Sequence, residues 1–256
     1  MQKKARIQQN TDINAEHFIQ ALYALQSDEE RLKIQRYFKT DTDEKDEFIG
    51  VKMGQLFSLA QSYVNMPVAE IEKLLESPIH EVRAGAISIM DKASREKKIK
   101  EERLKEFFDL YIRRHDRVNN WDLVDLGCLN MVGRYLFDKS HKTLYDLAHS
   151  FNRWERRTAI LGTCYFIKKG EIEDTFTIAE ILIHDKEDLV NKATGWMLRF
   201  AGDKNPEMLK ALLDKYAASM PRTLLRYSIE HFDATMKEHY MQMAKKDKNH
   251  LFTQKL

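Results

Sequence analysis

Arg83-Ala84-Gly85-Ala86-Ile87, Arg157-Thr158-Ala159-Ile160-Leu161 and Lys192-Ala193-Thr194-Gly195-Trp196 share one plan: a basic residue, small residues, then apolar ones. Arg226-Tyr227-Ser228-Ile229 is a weaker copy. The copies are spaced by 74, 35 and 34 residues, and 74 is two steps of 37. A further copy is therefore due at position 120, where the chain reads Asn120-Trp121-Asp122-Leu123. A period of this size built from two helices is close to that of HEAT and armadillo arrays. Gly85, Gly162 and Gly195 lie inside the repeated helices, where Gly costs about 1 kcal/mol against Ala. Close approach of neighbouring helices would offset that cost. The expected fold is all-α, a curved solenoid of HEAT-like repeats rather than a four-helix bundle.

The rest of the chain agrees with this reading. Apolar residues recur at helical spacing over 14–26, 28–38, 53–64, 68–76, 79–94, 100–117, 121–137, 141–150, 153–169, 172–183, 187–201, 205–217, 221–231 and 234–243. Pro67, Pro78, Pro206 and Pro221 fall at expected helix starts. Only nine Gly and four Pro occur among 256 residues, too few turn formers for an all-β fold. A single repeat domain over 1–256 is expected, with 1–12 and 244–256 as flexible ends. Cys128 and Cys164 sit in apolar helical runs, which suits a reduced compartment better than a disulfide framework. No apolar stretch reaches 18 residues, so a soluble, cytoplasmic, monomeric protein is expected.

The net charge of +2 hides a sorting along the chain. Residues 171–190 carry seven acids and one Lys, whereas 191–226 carry seven Lys/Arg and three acids. Arg83, Arg157, Lys192 and Arg226 share one register on second helices, while the acidic run falls mainly on a first helix. That pattern predicts a basic concave face with a more acidic back, the footprint of a phosphate-backbone binder. Solvated helix faces are the alternative reading of the same charges.

Phosphate-binding glycine loops, nucleophile elbows and His-rich metal patterns are absent, and no metal or cofactor is expected. Asn119-Asn120-Trp121-Asp122-Leu123-Val124-Asp125 stands out instead. An Asn cap and Asp122 in the first turn serve the helix alone. Asp125 lies beyond that turn among Leu, Val, Cys and Met, one helical turn from Trp121 and on the same face. Either it pairs with a neighbouring Arg beside a buried Trp, or it faces a cleft. In repeat register Arg157, Trp196, Trp121 and Asp125 fall within about 140° of arc. Two indoles, a carboxylate and a guanidinium on one side make a plausible active cleft. Trp154, in the same helix as Arg157, is expected in the core.

Asn120-Trp121-Asp122-Leu123-Val124-Asp125, Trp154-Glu155-Arg156-Arg157-Thr158-Ala159-Ile160-Leu161, Lys192-Ala193-Thr194-Gly195-Trp196-Met197-Leu198-Arg199 and Pro221-Arg222-Thr223-Leu224-Leu225-Arg226-Tyr227 together resemble the AlkD-like DNA alkylation repair family of HEAT-like glycosylases. The resemblance implies that Trp121, Asp125 and Trp196 surround the sugar of a damaged nucleotide and that Arg157 holds a flanking phosphate. Arg153, Lys192, Arg199, Arg222, Arg226, Arg83 and Lys52 are the further candidate DNA contacts. Phe48-Ile49-Gly50-Val51-Lys52-Met53-Gly54 is similar to the family's Gly-Val-Arg-x-Pro element, with Lys52 for Arg, Gly54 for Pro, and Phe57 where a further Arg is usual.

The implied activity is excision of cationic N3- or N7-alkylated purines from duplex DNA. Such bases leave without protonation, so the reaction needs a carboxylate and aromatic faces beside a developing oxocarbenium ion. A DNA-structure binder that has lost the activity, and a HEAT-type protein scaffold, are the two alternatives.

Overall fold

A computed structural model describes residues 13–38 and 46–253; the stretch 1–12, expected to be flexible, lies outside the described residues, as does 254–256. The regular elements among the described residues are helical, joined by turns and short loops, with one isolated β-bridge between Glu47 and Ile79. None of these helices is long and apolar enough to cross a membrane. The helices group into two compact units, 1–96 and 97–256.

In the first unit, α1 (Ala15–Tyr23) starts where the Asn14 side chain accepts the His17 N–H, and α2 (Asp28–Tyr37) starts at Ser27, which caps Glu30. Helices α3 (Met53–Gln61) and α4 (Val68–Leu75) both pack on the longer α5 (His80–Ser94). The connection 46–52 is held by side chains of α5. The buried Glu81 carboxylate accepts the backbone N–H groups of Ile49, Gly50 and Val51 at 2.8–3.3 Å. Gly50 has φ +81°, and a Cβ there would strike the Ser27 carbonyl, so only Gly fits this turn without strain. Arg83, expected to meet DNA, is instead 1% exposed: its guanidinium donates to Asp46 and to the Ser77 carbonyl. A buried charge needs such partners, and this one is a strut for the 46–52 connection. Lys52, at the exposed end of that connection, precedes α3.

The second unit carries the repeat. Its second helices are α7 (Trp121–Gly127), α10 (Arg153–Gly162), α13 (Asp188–Lys204) and α15 (Arg222–Ser228), and each packs on the next. The first helices are α6 (Glu101–Arg113), α9 (Lys142–Ala148), α12 (Glu173–Ile181) and α14 (Pro206–Tyr216). The copy due at position 120 is thus α7, with Asn120 as its cap, accepting the Trp121 N–H at 2.8 Å. Expected helix 121–137 is not uniform: a π-helical segment, Cys128–Val132, separates α7 from α8 (Gly133–Leu136). Expected helix 153–169 likewise changes at Thr163 into α11 (Cys164–Lys169). The last helix, α16 (Ala234–Thr253), runs ten residues beyond the expected 243.

Gly195 explains why α13 and α15 pack so closely. A Cβ there would lie 2.5 Å from the Tyr227 Cβ and 2.6 Å from the Leu224 carbonyl oxygen. Backbone cannot yield as a side-chain tip can, so overpacking outweighs the propensity that Ala would add. Gly195→Ala is expected to lower stability by about 1–3 kcal/mol in urea unfolding.

Candidate functional site

The site grows from three successive second helices. Asp125 lies on α7 one turn after Trp121, and the first turns of α10 bring Arg157 against it. The Arg157 Nε and Nη2 donate to the two carboxylate oxygens of Asp125 at 2.9 and 3.0 Å. Its Nη1 donates to the carbonyl of Leu189, in the first turn of α13. One guanidinium therefore ties α7, α10 and α13 together.

The pair is unequally exposed: the Arg157 side chain is 6% accessible and that of Asp125 25%. The fork lies inside, and the Asp125 side chain keeps a quarter of its surface accessible although both of its oxygens are bound. Two acceptor lone pairs of Asp125 are used by the fork, and about two remain. Burial pushes the Asp125 carboxyl above its ordinary value, against the opposing pull of Arg157. Arg157 itself, expected to bind a phosphate, has its donors engaged within the protein and is buried. In the structure Arg157 is bound to Asp125 and to the Leu189 carbonyl instead of standing at an open surface.

Both indoles are half-buried. Trp121 shares the face of Asp125, and Trp196 on α13 follows Lys192 by one turn and meets Phe200 edge-on at 5.8 Å between centroids. Trp154 is buried, as expected for a core residue.

The other candidate DNA contacts are mostly paired with acids. Lys192 meets Asp188 at 2.7 Å, a bond that raises the lysine pKa. Burial favours the neutral form of Asp188, but hydrogen bonds from Lys192 and Thr223 keep its pKa lowered. Arg153 stacks on the Trp154 ring and reaches Glu187 at 3.3 Å. Arg199 pairs with Glu230 and lies over Phe200. Arg222 donates to the Met241 carbonyl on α16 at 3.1 Å. Arg226 is exposed and lines a cavity with Tyr227 and Lys237. The acidic run divides accordingly. Glu173, Asp174 and Glu180 lie on first helix α12, but Asp185, Glu187 and Asp188 stand at the head of α13 and bind basic residues. The expected segregation of acids to the first helices fails at this point. Asp188 and Lys192 are i and i+4, a signal present in the sequence.

Beneath the site lies a polar cluster that sequence reasoning missed. The Thr158 Oγ1 is within hydrogen-bond distance of the Tyr111 hydroxyl (3.2 Å) and the His115 Nε2 (2.9 Å). The Cys128 thiol points at the Thr158 carbonyl at 3.9 Å, and burial pushes its pKa up, with the Asp125 charge adding to the shift. Tyr111 is likewise raised by burial. Among the described residues, no group of three His, Cys, Asp or Glu is placed to hold a metal ion.

A solved structure from Enterococcus faecalis, described as "Predicted DNA alkylation repair enzyme", shares this fold at a TM-score of 0.64 and 18% identity, over 82% of this chain and 97% of its own. The profile of a family described as DNA alkylation repair enzyme matches residues 18–232. No curated protein matches. The chain belongs to the DNA alkylation repair enzyme family.

Burial lowers the His115 pKa below its ordinary 6.5 despite the nearby Glu155 and Asp116 charges. The unfolded chain takes up this proton at higher pH than the folded one, so its contribution is present above about 6.5 and is lost on acidification. Thermal melts from pH 7 to pH 5 are expected to fall less steeply for His115→Gln than for the wild type.

Proposed function

We propose that the protein is a DNA glycosylase that removes cationic N3- or N7-alkylated purines from duplex DNA. The observation that carries this reading is the partly exposed Asp125 carboxylate, held through both oxygens by the buried Arg157 and one helical turn from the half-buried Trp121 indole. Breaking the bond from C1′ to the purine nitrogen sends its electron pair into the base and cancels the base's positive charge. The sugar is left as an oxocarbenium ion. The free lone pairs of Asp125 face that charge, and the indoles of Trp121 and Trp196 offer π faces to it. Water then attacks C1′ and loses its proton to Asp125 or to solvent. A carboxylate already locked in place needs no reorganisation as charge develops. No group has to protonate the leaving base, so hypoxanthine and other neutral lesions are poor substrates. Family membership supports DNA as the partner.

Asp125→Asn removes the charge and keeps the shape. Release of 7-methylguanine from methylated duplex is expected to fall at least about 100-fold, while duplex binding by anisotropy changes little. Binding without release by the wild type would favour the inactive DNA-structure binder.

Arg157→Lys separates orientation from phosphate binding. A point charge replaces the fork, so Asp125 is held down less firmly and its pKa rises. The carboxylate is the active form, so the acid limb of the excision profile is expected to move to higher pH. The salt slope of DNA binding is expected to stay the same; a slope lower by about one would restore a phosphate contact for Arg157.

A further inference from the structure

Helix α16 starts at Ala234, beyond residue 232 where the family profile ends, yet it is fixed firmly to the last repeat. Asp233 caps it by accepting the Met236 N–H at 2.9 Å. The buried Tyr240 donates its hydroxyl to Asp214 on α14 at 2.9 Å, and Arg222 on α15 donates to the Met241 carbonyl at 3.1 Å. Between α15 and α16 lies a cavity of about 480 Å³, lined by Arg226, Tyr227, Ile229, Glu230, Lys237 and Met241.

The charge around this cavity is unbalanced. Its one acid, Glu230, is paired with Arg199. Among the described residues neither Arg226 nor Lys237 forms an ion pair, although Lys237 is half-buried. Asp188, which feels the Arg226 charge, is already bound by Lys192 and Thr223. Two cations lining one cavity repel each other, and an anion between them is attracted by both.

The cavity is linked to the candidate site through α13. Lys192 interacts with both Arg157 and the Tyr227 phenol. The Thr223 hydroxyl on α15 donates to Asp188 at 2.7 Å, and the next residue, Leu189, gives its carbonyl to Arg157. Arg157 and Arg226 are two helix-to-helix steps apart, about 8–10 Å each. That span is roughly five to six base steps of 3.4 Å.

We infer that Arg226 and Lys237 clamp a backbone phosphate of the duplex at the mouth of this cavity, about five to six base steps from the nucleotide beside Asp125. Helix α16 thereby extends the DNA-binding surface past the last repeat. The inference rests on the glycosylase reading for the place of that nucleotide, and family membership supports DNA as the partner. Phosphate contacts set register without reading sequence, so this clamp limits how far the duplex slides past Asp125.

The experiment measures binding of the full chain, by anisotropy, to duplexes that carry a tetrahydrofuran abasic analogue. In each of two sets, one arm is kept long and the other is shortened. Wild-type affinity is expected to drop about eightfold at about 0.1 M salt, in one set, once the arm is shorter than about five pairs. Lys237→Ala and Arg226→Ala are expected to bind the long duplex about eightfold more weakly, with a salt slope lower by about one, and to lose the dependence on that arm. Lys237→Arg is expected to keep both. Ala favours a helix, so Lys237→Ala is expected to melt no lower than the wild type. A wild-type slope and arm dependence in both Ala variants overturn the clamp, even if base release proceeds. Arm dependence that requires Lys237, without release of 7-methylguanine by the wild type, overturns the glycosylase reading and leaves the clamp standing. Inorganic phosphate that raises the melting temperature of the wild type but not of Lys237→Ala, with DNA binding intact in that variant, assigns the cavity to a small anion and also overturns the clamp.

Discussion

The fork between Arg157 and Asp125 fixes the arrangement on which the site depends. A guanidinium this deeply buried has to satisfy its donors internally. It does so with a carboxylate from the preceding second helix and a backbone carbonyl from the following one. Register between α7, α10 and α13 is therefore set at the same atoms that orient the candidate catalytic group. Packing and chemistry share one interaction.

Arg83 shows the same device in the first unit. It too lies near the start of a second helix, is buried, and bonds one carboxylate (Asp46) and one carbonyl (Ser77). The basic residue of the repeat is thus a strut at two of its copies. Lys192, at a third, lies at the surface and pairs along its own helix with Asp188. The net charge is small because 40 acids stand against 42 basic residues; pairing of this kind neutralises many of the basic side chains locally, whereas Arg226 and Lys52 are exposed.

The helices were legible because apolar spacing and caps such as Asn120 and Asn152 are local signals, read without knowing the neighbours. The gap at 120 was filled by period alone. The fate of each basic residue was not legible. Arg83 and Arg157 look like surface charges in register, and only the tertiary approach of Asp46 and Asp125 shows them to be buried. For Asp125 the sequence left pairing and catalysis as alternatives; the structure shows the pairing, with both oxygens on Arg157 and the side chain a quarter exposed. The cluster of Tyr111, His115 and Thr158 was invisible because its members come from different helices with no common spacing.

The π segment at Cys128–Val132 has a consequence for how the helix beneath the site can vary. A π turn accommodates one residue more than an α turn, and so breaks the angular relation between the residues before it and those after it. Upstream, Asp125 is held by Arg157, with Trp121 one turn before it on the same face. Downstream, Gly133 lets the chain press against the Gly162 carbonyl, where no Cβ would fit. The inserted residue uncouples these two demands. One end can drift with the chemistry asked of it while the other stays locked to its neighbour, as a universal joint lets two shafts turn about different axes.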